Sequence, residues 1–175
     1  MKATGIVRRI DDLGRVVIPK EIRRTMRIRE GDPLEIYTSA GGEVIFKKYS
    51  PVGELGGNAR TLCEVISKQT DLCVIVTDRD RCIAAAGAGH RDLLEKQVGQ
   101  PLESVMEMRK SREFSGDSGI EALAEASAML RFAAPIITGG DISGAVALVG
   151  TEDATESDKK LANAAAAFLG KQMEV

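Results

Sequence analysis

Thr4-Gly5-Ile6-Val7-Arg8-Arg9-Ile10-Asp11-Asp12-Leu13-Gly14-Arg15-Val16-Val17-Ile18-Pro19 decides how the N-terminal part of the chain folds. Residues 4–10 are rich in β-branched side chains, and Asp11-Asp12-Leu13-Gly14 has the composition of a turn. Val16-Val17-Ile18 reads as a returning strand stopped by Pro19, whose fixed φ suits the first position of a helix. The pattern predicts a helix over 19–27, ended by Gly31-Asp32-Pro33. Residues 34–37 and 44–47 then form a hairpin around Ser39-Ala40-Gly41-Gly42. The module is β-β-α-β-β, bounded at about residue 50.

So small a piece sits near the lower size limit for independent folding, and neither a disulfide nor a metal compensates. Sharing a core with a second copy is the remaining remedy, so an obligate homodimer is expected. The cysteines, Cys63, Cys73 and Cys82, are odd in number and form no C-x-x-C pair, and His90 is the only histidine. A zinc site is therefore not expected, and reduced, buried thiols are. No cofactor is expected either.

The net charge of −2 hides an asymmetry. Residues 1–29 carry nine Lys/Arg against three Asp/Glu, while the other 146 residues hold 15 Lys/Arg and 23 Asp/Glu. A basic end on an acidic body points one module at a polyanion and leaves the other for a different task. On the predicted helix, Lys20, Arg23, Arg24 and Arg27 recur at i, i+3, i+4 and i+7, with Ile22 and Met26 on the opposite side to pack inward. Like charges four apart weaken an isolated helix by roughly 0.2–0.5 kcal/mol per pair. DNA phosphates would offset that repulsion; a solvated basic face is the alternative. Arg8 and Arg15 flank the turn, so closing the hairpin would bring them near one another. Lys2, Arg9, Lys20 and Arg27 are expected to add positive field rather than specificity.

The quoted stretch, continued by Glu21-Ile22-Arg23-Arg24-Thr25, Leu34-Glu35-Ile36-Tyr37 and Lys47-Lys48-Tyr49, closely resembles the AbrB-type transition-state regulators. That resemblance implies a swapped-hairpin β-barrel made by two interlocked chains. It also implies DNA contacts at Arg8, Arg15, Arg23 and Arg24, and tolerant recognition of A·T-rich promoter DNA by shape and deformability.

Beyond Tyr49, residues 51–70 are expected as a linker helix, with Ala59, Leu62, Cys63 and Ile66 on one stripe. Residues 71–175 read as an α+β domain around one antiparallel sheet. Its strands are expected at 72–76, 82–87, 129–137 and 142–149, and its helices near 91–96, 102–110 and 161–168, the last capped by Thr155 or Ser157. Residues 115–119 read as a loop. Through Ser50-Pro51, Asp78-Arg79-Asp80, Pro135-Ile136, Gly144-Ala145-Val146, and Ala166, Phe168 and Leu169 with Lys171-Gln172-Met173-Glu174, this part resembles sporulation regulators that join an AbrB-type domain to a GAF-like domain. The resemblance implies control of late sporulation genes, by activation or repression, in the forespore cytoplasm of an endospore-forming bacterium.

Aromatics make up 3% of the chain and tryptophan is absent, which leaves little for a purine-stacking cage. Phe114 and Phe132 are expected in the core, and Arg131 in a surface or structural ion pair rather than against a ligand carboxylate. Oligomerisation, giving a homotetramer, is the minimum role of this domain, and binding of an unidentified small-molecule effector is a second. Cys82 with His90 is a poor nucleophile and base, because no motif supports the pair. Gly87-Ala88-Gly89 lacks the third glycine of a dinucleotide site, and Asp78 and Asp80 read as turn residues. Catalysis is not expected, nor is a membrane role, since no run of eighteen apolar residues occurs. Two other classes stay open: an antitoxin-like DNA-binding module, and a small-molecule sensor whose DNA contact is secondary.

Overall fold

The computed structural model describes residues 5–54, 56–116 and 119–174. They divide into two compact units, 1–49 and 50–175. None of the described helices is long and apolar enough to cross a membrane.

The first unit holds a short helix, α1 (Lys20–Thr25), and an antiparallel hairpin of β1 (Leu34–Thr38) and β2 (Val44–Lys48) that pairs Ile36 with Phe46. The strands expected over 4–10 and 16–18 are not formed among the described residues. The turn between them is closed, yet no further ladder bonds join the two segments among the described residues. Val7 is consequently 90% exposed and Val17 70%. Ile10, Leu13, Ile36 and Val44 also face solvent, and Pro19 is the single buried residue among those described here. Ile22 is half-buried and Met26 exposed, so the inward packing expected of them is at best partial within one chain.

α1 ends earlier than the charge pattern predicts. Ile28 N–H donates to the Arg23 carbonyl at 2.7 Å and Arg27 N–H to that of Arg24 at 3.3 Å, while Arg27 takes a left-handed φ of 50°. This is the Schellman ending, with arginine where glycine is usual. The Lys48 ammonium donates to the Arg27 carbonyl at 2.9 Å and ties this corner to β2.

The second unit opens with α2 (Pro51–Glu54) and α3 (Gly56–Ile66). Expected as a linker, this stretch instead contributes Val52, Ala59, Cys63 and Ile66 to the core, because its apolar stripe has a sheet to cover. The sheet runs β4–β3–β7–β6–β5 and is antiparallel throughout, built from β3 (Cys73–Thr77), β4 (Cys82–Ala86), β5 (Arg112–Glu113), β6 (Leu130–Thr138) and β7 (Asp141–Val149). All five residues of β3 are buried, as expected when both faces of a sheet are covered.

Alternation sorts the sheet into two cores. Val74, Val76, Ile136, Val146 and Leu148 pack with α3 and the last helix, α5 (Glu156–Gln172). Ile75, Ala133, Ala145 and Ala147 pack with α4 (Gln100–Met108), and Phe114 and Leu123 fill the same side. Phe132 lies in the first of these cores, so both phenylalanines are core residues. The helix expected at 91–96 is a single 3₁₀ turn, His90–Asp92. Thr155 caps α5 in a capping box: its hydroxyl accepts Asp158 N–H at 3.2 Å, and Asp158 Oδ2 accepts Thr155 N–H at 2.8 Å. Close approach of neighbouring backbone requires glycine at Gly144 and Gly170. A Cβ on Gly144 would collide with the Thr77 carbonyl, and one on Gly170 with that of Ile137.

Candidate nucleic-acid interface

The turn that the sequence places at 11–14 is present. Asp11 N–H donates to the Arg15 carbonyl at 3.0 Å, Gly14 N–H donates to the Asp11 carbonyl at 3.0 Å, and Gly14 is left-handed at φ 75°. These are the bonds of a three-residue hairpin loop closed by a glycine bulge. Asp11 also works through its side chain: Oδ1 accepts Leu13 N–H at 3.1 Å and Arg15 N–H at 2.7 Å, and Oδ2 accepts Arg15 Nε–H at 2.8 Å. Those donors hold the Asp11 carboxyl below its usual range, the Arg15 amide most and then its guanidinium. The Arg15 side chain nevertheless stays 70% exposed.

Lys20, Arg23 and Arg24 stand exposed on α1, and Arg8 and Arg9 are exposed before the turn. Glu21 in the first turn of α1 and Arg23 and Arg24 in the last both match the helix dipole. Arg27 leaves the predicted cationic face: it lies past the helix end and is half-buried. Lys2 lies outside the described residues. What the charge pattern alone misses is Asp11. The available signal is positional, since Asp at the first position of a turn and Gly at the fourth is a favoured combination.

The second unit offers less chemistry. Arg131, 2% exposed, donates from Nε to the Gly150 carbonyl at 2.9 Å, and from Nη1 to the Gly116 carbonyl at 2.8 Å and to Asp153 at 3.1 Å. It is a structural clamp between two loops. Burial pushes the Cys73 thiol up to about 11 and the Cys82 thiol up to about 12, and it raises Cys63 further still. Thiolate chemistry is thereby suppressed at all three. Asp78 Oδ1 accepts Asp80 N–H and Arg81 N–H, each at 2.8 Å, so Asp78 shapes a turn. No cluster of metal-binding side chains occurs among the described residues. A groove of 370 Å³ beside α5 is lined by Arg109, Ser111, Ile137, Asn163 and Lys171. Its polar groups largely satisfy one another, Ser111 with Asn163 at 2.6 Å and Lys171 with Glu174 at 2.6 Å.

Comparison with known proteins covers both units. Residues 54–174 match the family described as Stage V sporulation protein T C-terminal, transcription factor, and residues 7–53 match Antidote-toxin recognition MazE, bacterial antitoxin. The chain is 45% identical over 177 aligned residues to Stage V sporulation protein T of Bacillus subtilis, covering 99% of each. It is 61% identical over 51 residues to the Transition state regulatory protein AbrB of the same organism, which is 29% of this chain and 52% of that one. The fold of the second unit is that of a GAF domain. It is similar to the cofactor-binding GAF domain of the nutrient sensor CodY from Clostridium difficile at a TM-score of 0.50, with 14% identity over 65% of this chain and 83% of that one. With its length shared almost end to end with one relative and its second unit matched throughout, the chain belongs to the stage V sporulation protein T family.

Proposed function

We propose that this chain is a DNA-binding transcription regulator of late sporulation genes, whose N-terminal units pair as an interlocked homodimer on A·T-rich promoter DNA. One observation carries the reading. The first unit sets uncovered apolar segments, from Ile6 to Ile10 and from Val16 to Val17, beside exposed Arg8, Arg9, Arg15, Arg23 and Arg24. Uncovered apolar strand segments in so small a unit call for a second copy. Pairing would double every cation, and convergent cations fit a duplex backbone. Arg8, Arg15, Arg23 and Arg24 are the proposed contacts; Lys2, Arg9 and Lys20 add field, and Arg27 adds less than its place in the sequence implies.

The GAF-like unit is proposed to associate with its own kind and give a tetramer, supported by the exposed Val65 of α3 and Phe168 of α5. The site of action is the cytoplasm of the forespore. The names of the relatives above, a sporulation protein and a transition-state regulator, support the same reading.

The match of 7–53 to an antitoxin family favours a second reading, an antitoxin-like module. Such modules append a disordered toxin-binding tail, whereas here a folded sheet and helices follow. Promoter binding by wild type and an Arg23→Ala/Arg24→Ala variant tests the first reading. Much weaker binding by a variant that keeps its oligomeric state is expected; equal binding would refute the assignment.

A further inference from the structure

We infer that Asp11 is a positioning residue for DNA recognition, its carboxylate holding the Arg15 guanidinium in the orientation that meets the duplex. The inference rests on the reading above that Arg15 touches DNA.

The geometry has two parts. Asp11 Oδ1 takes the backbone amides of Leu13 and Arg15 and so fixes where the Arg15 backbone stands. Asp11 Oδ2 takes Arg15 Nε–H at 2.8 Å and so fixes where its side chain points. A free arginine at an exposed turn samples many rotamers, and ordering them on binding costs affinity. Engagement at Nε leaves the two terminal amino groups, which form the fork that reads a phosphate or a guanine edge with two bonds. The carboxyl is held in its ionised form by these same donors, so the grip persists through the neutral range.

Simple charge counting predicts the opposite sign. An acid on a cationic surface repels phosphates, so removing Asp11 should tighten binding to any DNA. If Asp11 positions Arg15, its removal weakens binding to a preferred sequence and erodes the difference between preferred and indifferent DNA.

The test uses the full chain and two duplexes: one enriched from a random library by the wild-type protein, and one of mixed sequence and equal length. Anisotropy titrations at one salt concentration compare wild type, Asp11→Asn, Arg15→Ala and the double variant. Asparagine keeps an oxygen for the two backbone amides and gives up the charge that holds the guanidinium, so the turn survives. Asp11→Asn is expected to bind the selected duplex about three- to fivefold more weakly, the scale of one exposed ion pair, while its affinity for the mixed duplex is unchanged or higher. Arg15→Ala is expected to weaken selected binding, and Asp11→Asn to add no loss in that background. Tighter binding of both duplexes by Asp11→Asn would overturn the inference, as would an undiminished loss in the Arg15→Ala background. Wild-type binding by Arg15→Ala would remove the underlying contact and the inference with it.

Discussion

The Lys48 ammonium stands 3.3 Å from the Asp32 carboxylate, and the Asp32 side chain is only 2% exposed. Asp32 also accepts Arg29 N–H at 2.8 Å, so one buried carboxylate joins the loop after α1 to β2. Lys48→Met keeps the aliphatic stem and removes the charge. It is expected to destabilise the first unit by about 2 kcal/mol, because a buried charge loses a partner. Chemical unfolding followed by circular dichroism would measure the loss, and an unchanged midpoint would contradict it.

Gly144 faces the Thr77 carbonyl across β7 and β3 without room for a Cβ. Gly144→Ala must spread two central strands and is expected to cost about 2–4 kcal/mol in the second unit. Gly139→Ala is the contrasting case, since nothing lies near its Cβ position; its φ of 56° still strains alanine by about 1 kcal/mol. Thermal unfolding should rank the two variants in that order.

The buried thiols make stability depend on alkaline pH. Cys73 and Cys82 keep their protons in the folded chain to about pH 11 and about pH 12, against 9.0 for an unperturbed thiol. Between those values the unfolded chain has already lost protons that the folded chain retains, so stability falls as pH rises above about 9. Urea titrations at pH 8 and pH 10 under reducing conditions should show this fall, smaller in Cys82→Ala than in wild type. An equal fall in both would contradict the assignment of the effect to that thiol.

If six to eight phosphates are neutralised, DNA affinity should drop roughly 10³–10⁵-fold between about 50 and 200 mM salt. Arg23→Ala/Arg24→Ala, counted in both copies of a dimer, should reduce the logarithmic salt slope by roughly 3–4. Arg27→Gly should reduce it much less, because Arg27 has left the helix and is half-buried. Equal reductions in the two variants would restore Arg27 to the cationic face.

Much of this was legible in the sequence, and the exceptions share a cause. The sheet of the second unit announces itself through apolar runs such as Leu72-Cys73-Val74-Ile75-Val76, because strands buried on both faces carry almost no polar residues. Local turn chemistry is equally plain at Asp11–Gly14. The misreadings arose where tertiary context decides. The strands expected over 4–10 and 16–18 do not form among the described residues, where both segments lie largely exposed and unladdered. Periodicity placed Arg27 on the helix, whereas the Lys48 contact and the Schellman ending set it apart. Residues 51–70 read as a linker helix because their stripe gives no hint of which sheet it covers. Two-residue β5 is too short for any period, and the role of Asp11 was hidden because charge counting treats an acid among arginines as noise.

Hydrogen exchange on the full-length protein tests the central claim most directly. Interlocked copies would make residues 6–10 and 16–18 into paired strands of a shared core, so their amides should exchange orders of magnitude more slowly than an open chain. Exchange of those amides at open-chain rates, in protein that still binds promoter DNA, would contradict the account.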